Sequence, residues 1–80
     1  MPGFEIITEA ARENKLVEIV YAKKGTGEVV QHVVEPYSTR GNRFFGFRTD
    51  IGEIRAFIID NIISATKLEE TFSPRWPVEL

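Results

Sequence analysis

Four arginines, Arg40, Arg43, Arg48 and Arg55, stand between Pro36 and Ile58, against only two acids, Asp50 and Glu53. That segment carries a net charge of +2 inside a chain of −2, and it holds no lysine. A guanidinium can grip a phosphate or carboxylate through two parallel N–H donors, which an ammonium cannot do. Interleaved with the arginines is RFFGF, Arg43 to Phe47, which holds three of the six phenylalanines. Rings beside guanidinium groups can stack a base or a planar anion. The chemistry implied is recognition of an anionic ligand, a nucleotide or single-stranded nucleic acid.

Bond-making chemistry finds little material. His32 is the only histidine and there is no cysteine, so no transition-metal site and no thiol chemistry is expected. Ser38, Ser64 and Ser73 lack the strand–turn–helix setting of a serine nucleophile. Gly25 and Gly27 fall between two strand-like runs, not between a strand and a helix, so they do not form a phosphate-cradling loop. Glu69 and Glu70 are adjacent and would point to opposite faces of a strand. A non-enzymatic protein without cofactor or metal is expected.

The elements that position these residues are short. Phe4, Ile7, Ala10 and Ala11 recur at helical spacing, with Glu5, Glu9 and Glu13 on the other side. Helix is predicted over Phe4 to Glu13, preceded by Pro2 and Gly3 and stopped at Asn14. The period then changes. Strands are predicted over Leu16 to Lys24, Glu28 to Ser38, Arg43 to Thr49, Glu53 to Ile59 and Ile62 to Glu70. Pro36 is expected to weaken the end of the second strand or to place it at an edge. One helix followed by five meandering strands predicts a mainly β fold, a small five-stranded SH3-like or Sm-like barrel, since closure removes exposed edges.

Across the Asp50 to Gly52 turn, the hydrophobic pattern selects a register pairing Arg48 with Glu53, Gly46 with Arg55 and Phe44 with Phe57. Phe45, Phe47, Ile54, Ala56 and Ile58 then share one wholly apolar face, expected to be core. Phe44, Gly46, Arg48, Glu53, Arg55 and Phe57 share the other, the expected ligand face. Phe44 and Phe57 could equally be covered by the helix or the tail.

The length of 80 residues allows one domain, here residues 1–72, followed by an extended tail over 73–80. That tail, SPRWPVEL, places two prolines around the only tryptophan, Trp76. It is expected either to fold back or to reach a second chain. A sheet edge or this tail would serve a protein partner or homo-oligomer, which is the alternative reading: an interaction module with no nucleic-acid ligand. The net charge of −2 argues against non-specific nucleic-acid binding by the whole surface. No apolar run reaches the roughly 18–20 residues of a membrane span, and the first residues do not read as a signal peptide. A cytoplasmic location without membrane association is expected.

The order of short signatures resembles the WYL domain, over about residues 13–72. Tyr21 ends an apolar strand, a Gly turn follows, and VVEPY stands at Val33 to Tyr37. RFFGF falls where the family has Arg-Trp-Tyr-Leu, and RAFIIDNI, Arg55 to Ile62, falls where it has a pattern like Arg-x-Phe-Arg-Leu-Asp-Arg-Ile. The resemblance implies an Sm-like barrel with a leading helix. It also implies a regulatory, ligand-sensing role, since members are mostly bacterial and usually sit in transcription factors behind a winged helix-turn-helix, where they are thought to sense ligands including nucleic acid. Carried over, Arg43 and Phe44 match the motif's start, Arg55 matches an arginine of the fourth strand, and His32 stands where a basic residue is common. The sequence departs from the pattern at Phe44, Phe45 and Gly46, which replace Trp, Tyr and Leu, and at Ile58 and Asn61, where basic residues are common. Within these 80 residues no helix-turn-helix is expected, so the chain reads as the domain alone, naturally or as a fragment.

Overall fold

The computed structural model describes residues 3–80, so Pro2, expected ahead of the helix, lies outside the described residues. Helix α1 spans Phe4–Arg12 and is followed by strands β1 (Lys15–Ala22), β2 (Val29–Arg40), β3 (Arg43–Arg48), β4 (Glu53–Ile58) and β5 (Ile62–Thr71). A 3₁₀ turn, Ile59–Asn61, joins β4 to β5. The helix buries the predicted stripe: Ile7, Ala10 and Ala11 are inside, with Phe4 packed beside them. It ends next to Asn14, whose φ of 54° lies in the left-handed region that asparagine tolerates better than most residues. Lys67 on β5 ties the helix down by bridging Glu9 and Glu13.

The five strands form one antiparallel sheet in the order β4-β3-β2-β1-β5. Closure into a barrel would require a ladder between β4 and β5, and no such ladder forms among the described residues. The edges are nevertheless close at one corner, because a three-residue connector reaches at most about 10 Å. The sheet therefore curls. Tyr21 fastens that corner: its hydroxyl accepts the Ile58 N–H at 2.9 Å, and its ring meets Phe57 edge-on at 5.2 Å.

Pro36 does not end β2, but the strand is paired on one side only there, as expected: the ladder to β1 stops at Val34, and buried Pro36 pairs only with Gly46 of β3, in a ladder that slips register between Pro36 and Ser38. A proline has no N–H to contribute, and a bulge accommodates that without ending the strand.

The β3–β4 register is as predicted, with Arg48 opposite Glu53, Gly46 opposite Arg55 and Phe44 opposite Phe57. The two faces are reversed. Phe44 is 0% exposed and Phe57 4%, whereas Phe45 and Phe47 are half-buried and Ile54 is exposed. The Phe44 face continues across the sheet: β3 Arg48 lies opposite β2 Val34, and Val34 lies opposite β1 Val17. Val17, Ile19, Val34, Phe44, Phe57, Ile62 and Ala65 make one core with Ile7 and Ala10 of the helix. The concave side of a curled sheet is set by all five strands, and the apolar count of one hairpin does not report it. Gly46 belongs to this crowded side. A Cβ there would lie 3.1 Å from both the Phe44 ring and Val34.

Candidate functional site

Phe44 and Phe57 lie in the core, which corrects their assignment to a ligand face. Their rings stack on each other with centroids 6.0 Å apart inside the core, and neither offers a surface to a ligand. The expected stacking platform is therefore absent.

Arg48, Arg55 and His32 remain together on the outer part of that same sheet face, beyond the apolar centre. Arg55 sits opposite Gly46, two residues along β3 from Arg48, and His32 is two residues along β2 from Val34, the partner of Arg48. The Arg48 guanidinium donates to both oxygens of Asp50, at 3.1 and 2.6 Å, in a side-on fork. That hydrogen bond holds the Asp50 carboxyl below the usual carboxylate range. Arg55 pairs with Glu53 at 3.0 Å. The His32 ring lies 5.9 Å from Phe57. Its pKa is pushed below the ordinary histidine value, first by burial and then by the Arg48 charge, with Lys23 adding to the effect and Asp50 opposing it. The imidazole is therefore neutral at neutral pH. Arg43 is separated from this group. It lies opposite Ile58, hence on the other side of the sheet, where it is exposed.

That other side is covered by the chain's own C-terminal residues, so the tail folds back. The Trp76 ring meets Tyr37 edge-on at 5.2 Å and lies 5.9 Å from Phe47, and Phe72 meets Tyr37 at 5.7 Å. Beneath them is Glu35, a charged side chain only 4% exposed. The Tyr37 hydroxyl donates to Glu35 Oε1 at 2.6 Å, and the Arg75 guanidinium donates to Oε1 and Oε2 at 3.2 and 3.3 Å. The same guanidinium lies 4.2 Å above the centre of the Phe47 ring. Burial raises the Tyr37 phenol pKa, helped by its bond to Glu35 and opposed by the Arg75 N–H it accepts. Beside this cluster an open cleft of about 300 Å³ runs between the tail and the sheet, lined by Ser38, Phe45, Ile54, Pro77 and Glu79 among others. Sequence reasoning passed over Glu35 and Arg75. The available signal was a carboxylate set inside the apolar run VVEPY, with no neighbouring cation in sequence.

Among the described residues no group of three or more His, Asp or Glu is placed to hold a metal ion, and no helix is long and apolar enough to cross a membrane. No family model matches the chain, and no curated protein does. Among solved structures it is similar to proteasome accessory factor B/C (PafBC) of Arthrobacter aurescens, with a TM-score of 0.77 and 20% sequence identity. The likeness covers 92% of this chain and 13% of that one, so the chain spans a small part of its neighbour's length. It supports a WYL-like fold.

Proposed function

We propose that the domain is a non-enzymatic regulatory module whose ligand is an anion, a nucleotide or a short single strand, gripped by Arg48 and Arg55 with His32 alongside. The observation that carries this reading is the placement of both guanidiniums on one rim, each already oriented by a carboxylate, Asp50 or Glu53. A phosphate binds there by sharing or displacing those carboxylates. Because the arginines are partly neutralised and the Phe44 and Phe57 rings are buried, affinity is modest and falls with salt. The fold likeness to an accessory factor supports the regulatory part of the reading. The WYL resemblance read from the sequence supports the ligand-sensing part.

The test is titration of the ¹⁵N-labelled chain with a nucleoside triphosphate and with a short single-stranded DNA at low salt. Resonances of β3, β4 and His32 are expected to shift, and Arg48→Ala and Arg55→Ala each to weaken the response. Titrations that leave those resonances unmoved would refute the proposal.

A further inference from the structure

Glu35 raises a separate question, because a buried carboxylate is costly unless a cation and hydrogen bonds compensate it. Its receptor half is built entirely from the sheet: Glu35 and Tyr37 on β2 and Phe47 on β3. Its cation comes from outside the sheet, from an irregular segment whose residues Ser73 to Pro77 are all exposed to solvent at their outer side. The Arg75 side chain is itself 52% exposed. The sheet thus offers a fork-shaped acceptor for a guanidinium, an aromatic ring under it, and a phenol oxygen that accepts the Arg75 backbone N–H at 2.9 Å. A second backbone contact follows four residues on, where the Glu79 N–H donates to the Tyr37 carbonyl at 2.7 Å. These are elements by which a short peptide is recognised: bonds to its backbone N–H groups for affinity and a side-chain socket for specificity. The tail does not fill the face, since the cleft under Pro77 stays open.

We infer that this face is a peptide-recognition site for a bent segment of a partner protein carrying arginine followed by an aromatic residue and proline, and that the chain's own Arg75-Trp76-Pro77, which bends at Arg75 and Trp76, occupies it as an intramolecular competitor. Arginine is required because only a planar fork reaches both Glu35 oxygens while lying over Phe47. A partner must displace a tail held at an effective concentration on the order of millimolar. The tail therefore sets a threshold for binding, and weakening it lowers that threshold.

The test uses the full chain carrying Arg75→Ala and Trp76→Ala, whose fold is checked by circular dichroism, against the unmodified chain. Each is titrated with the free peptide Ser-Pro-Arg-Trp-Pro-Val-Glu-Leu and with the same peptide bearing Lys in place of Arg. The variant is expected to bind the arginine peptide, with resonances of Glu35, Tyr37 and Phe47 shifting. The unmodified chain should need about tenfold more peptide or beyond, and the lysine peptide should bind about tenfold more weakly or worse. If the double variant does not fold, the full chain with Arg75→Lys takes its place and the same outcomes decide. A folded variant that binds neither peptide, or binds both equally, overturns the inference. So does a concentration-dependent dimer of the unmodified chain that the arginine peptide dissociates, because the site's occupant would then be the tail of a second copy.

Discussion

The reversal of the hairpin faces makes a quantitative prediction about Phe44 and Phe45, neighbours in sequence on opposite sides of β3. Phe44 is fully buried, stacked on Phe57 and pressed against Gly46 and Val34. Phe44→Ala removes the ring and leaves a cavity inside the packed core, at a cost of about 3–5 kcal/mol. A domain of 80 residues has a total stability of roughly 4–12 kcal/mol. The variant therefore loses about a quarter or more of its stability. Phe45 is half-buried beside the open cleft, and Phe45→Ala forfeits about 1–2 kcal/mol of apolar burial with no enclosed cavity. The difference of about 2–3 kcal/mol separates the two melting temperatures by roughly 10–20 °C. Urea midpoints and thermal melts by circular dichroism measure it directly. Equal midpoints, or a Phe45→Ala variant less stable than Phe44→Ala, would refute the assignment of the core to the helix side of the sheet.

Gly46→Ala should cost about 1–3 kcal/mol, since its Cβ would lie 3.1 Å from the Phe44 ring and from Val34. The cost should shrink in a Phe44→Leu background, where the ring it meets is gone, and a double-mutant cycle of urea midpoints measures that coupling. His32 gives a pH dependence: its folded pKa lies below the unfolded value near 6.5, so the unfolded chain binds the extra proton. Its contribution is fully present above 6.5 and is lost as pH falls from there through the folded pKa. Because His32 is the only histidine, the urea midpoint should drop between about pH 7.5 and about pH 5.5, and His32→Gln should flatten that drop.

What the sequence disclosed and what it concealed divide by distance along the chain. The helix stripe, the Asn14 stop and the Arg48–Glu53 register depend on residues a few positions apart, where period and turn chemistry act directly. The side of the sheet that faces inward depends on the whole sheet: Val17, Val34 and Arg48 stand in one row across three strands. Reading that row would have placed Phe44 inside, because its face runs on through Val34, Val17 and Ile19, a row more apolar and more crowded than the hairpin's other face. Of the ligand-facing set, Arg48, Arg55 and His32 were brought together because strand pairing preserves alternation, while Arg43 was separated by the same alternation. The contacts that define the second face are the most distant: Tyr37 to Arg75 spans 38 positions, and Glu35 to Arg75 spans 40. No local pattern encodes such a pair. Its trace is an imbalance, a carboxylate within Val33-Val34-Glu35-Pro36-Tyr37 that no adjacent residue neutralises. A charge embedded in an apolar strand requires a cation from elsewhere in the fold, and here the cation lies in the tail whose tryptophan drew attention first. The physical rule that a buried charge must be paired thus leads to Arg75, and from Arg75 to a face of the sheet shaped to receive an arginine.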